Sequence, residues 1–241
     1  MEERLQKRIA ESGYTSRRNA EKLIQEGKVL VNGEVITKLG TKVTEKDEII
    51  VDGEFLETQK FEYYLLNKPR GIISSSSDEK GRKTVVDLIE TQSRVYPVGR
   101  LDYDTTGLIL LTNDGELTNL LTHPKSKVPK TYLAKINKVL TMEEYHKIKE
   151  GIVIDGRKVK VKSVKIKKKY PKNNTSFVEI TIIEGRNHIV KRIFESLGID
   201  VIKLTRTNYA FLDLGTLRSY EYRTLTKDEV ARLYNYVRNK W

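Results

Sequence analysis

Val159-Lys160-Val161-Lys162 and Val164-Lys165-Ile166-Lys167 alternate apolar and basic residues, with Ser163 breaking the phase between them. A period of two belongs to a β-strand, because helical side chains repeat every 3.6 residues. The pattern predicts a strand over residues 158–167 in a sheet packed on one face. Its other face displays ammonium groups about 7 Å apart, twice the strand rise. That interval resembles the phosphate spacing of a nucleic acid strand; an ordinary solvated strand face is the alternative.

Charge partition favours the first reading. The 241 residues carry 45 Lys and Arg against 33 Asp and Glu, a net charge of +12. Residues 1–58 are net −2, 59–124 net −1, 125–172 net +12 and 173–241 net +3. One 48-residue stretch thus holds the equivalent of the whole excess. Such charge points to a polyanionic partner, supplying affinity and salt dependence with little sequence choice.

The rest of the composition bounds the class. With 38% hydrophobic residues and 13 Tyr, the chain can form a packed core, and its length fits one or two domains. The absence of cysteine excludes disulfides, thiolate metal sites and a thiol nucleophile. His123, His146 and His188 show no metal-ligand spacing. The longest aliphatic run is residues 108–111, and the N-terminal residues have no apolar signal-peptide core. The expectation is a soluble cytoplasmic protein without a membrane segment.

The organisation is α+β. Leu5, Ile9 and Ala10 mark one face of a first helix stopped by Gly13. Thr15 or Ser16 caps a second, with Ala20, Leu23 and Ile24 inward and Gly27 at its end. Asn32-Gly33 between two short apolar runs predicts a type I′ hairpin, and residues 47–51 predict a further strand. Arg4, Lys7, Arg8, Arg17, Arg18 and Lys22 all fall in the helical half. SRRNAEKLIQEGKVLVNGEVI resembles the small RNA-binding module of an S-four-type ribosomal protein, which implies RNA contact through Arg17, Arg18 and Lys22.

Residues 54–61 read as a polar linker, giving domains at 1–58 and 62–241. In the second, strands are expected at 63–66, 107–112, 131–137, 158–167, 176–184, 199–206 and 220–223, largely antiparallel. Residues 84–89 read as a short helix, Asp114 as the cap of a helix through Leu121, and Thr141/Glu144 and Thr226/Glu229 as capping boxes.

The densest chemical signal is the loop Gly99-Arg100-Leu101-Asp102-Tyr103-Asp104-Thr105-Thr106-Gly107, set before a buried run. Read alone, Asp102 and Asp104 cap turns or pair with Arg100. Together with Asp114 they also suggest a magnesium site of a nuclease. The stretch GRLDYDTTGLILLTNDGELTNLLTHP, with YYLLNKPRGIISS, KTYLAKI and EGRNHIVKRIFESLG, is similar to the RsuA/RluB group of rRNA pseudouridine synthases.

That resemblance implies isomerisation of one uridine in ribosomal RNA. The N1–C1′ bond breaks, the uracil turns, and C5 joins C1′. Asp102 matches the catalytic aspartate, acting on C1′, on the base or on a ribose proton. Tyr132 matches the active-site tyrosine, and Lys191 the basic residue paired with the aspartate, with Arg192 as neighbouring candidate. Arg100 stacks in place of the extruded base or holds a phosphate; Arg186 and His188 are candidates to contact phosphate or sugar, with a structural histidine as the alternative reading of His188. Lys160 and Lys162 bind the RNA backbone. Ile189 departs from the family, where a polar Gln is usual. No cofactor or metal is expected, and a monomer is the default. The long Lys-rich strand resembles the large-subunit branch; a small-subunit enzyme, a non-catalytic assembly factor and a nuclease are the alternatives.

Overall fold

A computed structural model describes residues 2–238. The chain divides into two compact units. One holds the chain up to Glu62 with Glu90–Val95 and Asn113–Gly115. The other holds Tyr63–Ile89, Tyr96–Thr112 and the chain from Glu116 on.

The first unit begins with α1 (Leu5–Glu11) and α2 (Arg17–Gln25). Leu5 and Ile9, one turn apart, are fully buried. Ser16, rather than Thr15, caps α2: its side chain accepts from the Asn19 N–H at 3.2 Å. β1 (Val29–Val31) turns at Asn32-Gly33 into β2 (Glu34–Val35), and both turn residues have positive φ, as a type I′ turn needs. β1 also pairs with β3 (Ile49–Val51). Asp52-Gly53 makes a second turn of the same kind into β4 (Glu54–Phe55). Residues 54–55 are therefore strand and not linker, because Asp-Gly closes a hairpin as Asn-Gly does. Ala20, Ile24, Val29, Ile49 and Val51 complete the core around α1.

The second unit is built on a sheet whose main path runs β8-β9-β7-β10-β6-β5-β11. Its strands are β5 (Tyr63–Lys68), β6 (Thr106–Thr112), β7 (Lys130–Ile136), β8 (Val161–Tyr170), β9 (Thr175–Ile182), β10 (Val201–Tyr209) and β11 (Tyr222–Thr224). Pairings along this path are antiparallel except β10 with β6, which is parallel over two rungs, Thr205↔Thr106 and Arg206↔Gly107. The sheet is thus mixed. At that seam Gly107 has φ +106°, and a Cβ there would lie 2.2 Å from the Arg206 carbonyl oxygen, so only glycine permits the approach.

Four helices accompany the sheet: α3 (Gly115–Thr122), α4 (Met142–Glu150), α5 (Ile189–Glu195) and α6 (Lys227–Arg238). Thr141 and Glu144 form the expected capping box of α4. Thr226 and Glu229 exchange the same two bonds before α6. Leu65, Leu108, Leu117, Leu121, Tyr209 and Leu233 centre one core cluster. Residues 84–89 yield only one 3₁₀ turn, Val86–Leu88, because the Asp87 carboxylate accepts from the Thr84 N–H and hydroxyl.

The Lys-rich segment departs from an even ladder. Arg157–Lys158 belongs to a small hairpin with Val153–Ile154, and Val159 and Lys160 lie outside the strands. Within β8 the register shifts at Lys162 and again at Lys167. The phase break read at Ser163 is therefore a β-bulge, and the lysines are exposed without the regular 7 Å spacing.

Candidate active site

The loop bearing Asp102 runs into the start of β6, at the parallel seam, and the end of β5 braces it from below. Lys68, the last residue of β5, is fully buried, and its ammonium donates to the carbonyls of Pro69, Asp102 and Thr105 at 3.1, 3.0 and 2.9 Å. The Ser74 hydroxyl donates to the Leu101 carbonyl and accepts from the Leu101 N–H. Gly71 N–H donates to the Tyr103 carbonyl at 2.8 Å. Residues 67–74 are thus the clamp that fixes the backbone on both sides of Asp102. Burial pulls the Lys68 ammonium down to about 8, against the charges of Asp102 and Asp104 that raise it.

The Asp102 carboxylate opens on a cavity of about 520 Å3, shared with Arg100, Tyr132, Arg186, His188 and Arg206. Two basic side chains face it: Lys191 Nζ at 3.6 Å from Oδ2 and His188 Nε2 at 3.4 Å from Oδ1. Lys191 stands closer to Asp104, at 2.7 and 2.9 Å, and that hydrogen bond holds the Asp104 carboxyl below its usual range. His188 reaches Asp102 because it has φ +52° immediately before α5. Tyr132, on β7, is buried and pairs across the ladder with Arg206 on β10.

The structure gathers Asp102, Tyr132 and Lys191, with Arg100 exposed at the cavity wall. Arg192 turns away and pairs with Asp155 at 2.6 Å. Arg186 lines the cavity, but its guanidinium is tied to Glu184 and to the Ile154 carbonyl. Ile189 is buried and contributes an apolar wall. The three aspartates of the magnesium reading are not assembled: among the described residues no group of three or more His, Cys, Asp or Glu is placed to hold a metal ion. Lys191 instead occupies the position between Asp102 and Asp104.

Sequence reading missed Lys68 and Arg206. The first shows as a lysine ending an apolar run; the second shares the period-two face of Leu204, both being buried. A second groove, also of about 520 Å3, shares Lys130, Glu184 and Arg186 with the cavity and continues past Lys127, Lys158 and Lys160. Lys130 bridges the two, its amine brought down to about 8 by burial and then by the Arg206 charge. In the first unit, Arg17, Arg18 and Lys22 are exposed on α2. Arg17 lies 3.9 Å from Glu11, whereas Arg18 and Lys22 enter no ion pair among the described residues.

Residues 62–196 match the family model of RNA pseudouridylate synthases, and residues 3–49 match that of the S4 domain. The chain belongs to the RNA pseudouridylate synthase family. This synthase is 50% identical over 232 residues to the ribosomal large subunit pseudouridine synthase B of Bacillus subtilis (strain 168), covering 96% of this chain and 95% of the relative. It is 41% identical to an RNA pseudouridine synthase of Aquifex aeolicus (strain VF5), over 100% of this chain and 97% of the relative. A crystal structure of a pseudouridylate synthase superposes with a TM-score of 0.65 at 34% identity, covering 95% of this chain and 99% of the other. Among the described residues, no helix of the synthase is long and apolar enough to cross a membrane.

Proposed function

We propose that this synthase converts a uridine of large-subunit ribosomal RNA to pseudouridine, with Asp102 as the reacting carboxylate. The observation that carries the proposal is a carboxylate held by its own backbone in a cavity with a tyrosine and facing a lysine, in a chain half identical to the Bacillus enzyme across nearly its full length. Asp102 must be ionised to act, and Lys191 and His188 stand beside its carboxylate at 3.6 and 3.4 Å. Tyr132 lies where its ring can stack on uracil. Arg100 occupies the space left by the extruded nucleotide or binds its phosphate. The isomerisation redistributes bonds within one nucleotide and consumes no oxidant, so the chemistry requires no redox cofactor.

RNA contact is assigned to two surfaces. Arg17, Arg18 and Lys22 of the S4 domain form one; Lys160, Lys162 and Arg186 beside the cavity form the other. We assign the S4 module to residues 1–58 and the catalytic domain to 62–241, in a cytoplasmic monomer.

The test is incubation with unmodified rRNA in EDTA, followed by mapping of pseudouridine. Modification of large-subunit RNA that survives EDTA and vanishes in Asp102→Asn is expected. Modification of small-subunit RNA instead, or RNA left intact and unmodified by the wild-type protein, overturns the substrate or the activity respectively. Metal-dependent cleavage favours a nuclease.

A further inference from the structure

Arg206 is 2% exposed, and among the described residues no carboxylate lies within ion-pairing distance of it. Its Nε donates to the Leu108 carbonyl at 2.7 Å, and the guanidinium stacks 5.2 Å from the centre of the Tyr209 ring. Those two contacts fix its plane. Nη2 is then left buried without any hydrogen-bond partner. A buried cation with a stranded donor is costly, and an apolar side chain would fill a purely structural site better. Arg206 also lines the cavity with Asp102, and its rung partner across β7 is Tyr132. The two neighbouring lysines, Lys68 and Lys130, both hold their protons less tightly because of burial and its charge, whereas a guanidinium stays charged. A fixed, unpaired positive charge at the floor of the cavity calls for an anion that arrives with the substrate.

We propose that Arg206 is a catalytic residue, the fixed charge of its guanidinium stabilising the negative charge of the base as the N1–C1′ bond breaks. This rests on the assignment of the cavity as the uridine site. The bonding pair leaves with N1 and spreads over the ring oxygens. C5 then supplies the electron pair for a new bond to C1′, and the proton lost from C5 is matched by one taken up at N1, which restores a neutral ring. No electrons enter or leave. Arg206 acts in the interval when the base is detached and anionic, by the preorganised electrostatics that stabilise oxyanions elsewhere.

The experiment compares wild type, Arg206→Gln and Arg206→Lys on RNA carrying uridine or 5-fluorouridine at the target position, under single-turnover conditions. Fluorine stabilises the detached base anion and so lessens the need for the cation. Arg206→Gln is expected to slow the uridine reaction by about a hundredfold. On 5-fluorouridine its defect should be at least several-fold smaller, with RNA affinity unchanged. Equal defects on both bases overturn the proposal, since a structural role does not depend on the leaving group. If Arg206→Gln fails to fold, Arg206→Lys decides by the same ratio. Asp102→Asn runs alongside. Its retaining activity refutes the uridine site itself, while its inactivity with equal Arg206 defects refutes only the role of Arg206.

Discussion

Lys191 grips both oxygens of Asp104, at 2.7 and 2.9 Å, while standing 3.6 Å from Asp102. Two carboxylates therefore share one ammonium, and the more exposed of them holds it more closely. Asp104→Asn should leave Lys191 facing Asp102 alone and cost at most about fivefold in rate, as a part-exposed pair is worth no more than about 1 kcal/mol. Asp102→Asn should cost at least about a thousandfold, and Lys191→Met about a hundredfold. Single-turnover rates rank the three. The Asp104 carboxyl titrates below its ordinary value, so its pairing with Lys191 is present above about pH 4 and is lost as pH falls through the lowered value.

Lys68→Met keeps the volume of the side chain but strands the carbonyls of Pro69, Asp102 and Thr105. At about 1–3 kcal/mol for each buried acceptor, the fold should lose at least about 3 kcal/mol. Calorimetry should show Tm falling by about 6–12 °C. Turnover should fall with it, since the Asp102 loop loses its brace, while RNA affinity stays within a few-fold.

Lys130 gives a pH test. Its amine, lowered to about 8, is cationic below that value and neutral above it. RNA affinity should weaken as pH rises from 7 to 9, and Lys130→Met should flatten that decline. The free protein behaves oppositely. The unfolded chain binds this proton up to about pH 10.4 and the folded one only to about 8, so the group's contribution to stability improves between those values. Affinity by filter binding and melting across the pH range read the two effects separately.

Gly107→Ala should be the most damaging single methyl in the second unit. It places a carbon 2.2 Å from the Arg206 carbonyl oxygen at a φ of +106°. Overpacking costs about 1–3 kcal/mol and strained φ adds to it, so denaturant midpoints should fall accordingly.

Neutralising Lys158 and Lys160 together, each to Gln, should reduce the slope of log affinity against log salt by about 1–2. The rate at saturating RNA should be unchanged, because the groove lies beside the cavity and not on the reacting atoms.

Much of this was legible from short-range chemistry. Asn32-Gly33 gave the hairpin because its turn needs two positive φ values, and Thr141 with Glu144 gave a cap because both bonds are local. The Asp102 loop stood out through its bracketing glycines and the family likeness. What escaped was long-range. Lys68 meets Asp102 and Arg206 meets Leu108 only after distant strands pair, and no local pattern reports that. Glu54–Phe55 was hidden by its polarity, although Asp52-Gly53 carries the turn signal. The even lysine ladder failed because period two cannot register a bulge beyond the residue that breaks it.

The two bulged lysines of β8 have a consequence for how the protein survives in a crowded solution. β8 lies at one end of the sheet's main path, where unpaired backbone groups invite a strand from another molecule. Lys162 and Lys167 interrupt its register, and Lys165, Lys168 and Lys169 add like charge along ten residues. Two copies meeting edge to edge would confront repulsion and mismatched hydrogen bonds. The charge assigned to RNA contact would at the same time disfavour aggregation of the strand with its own kind.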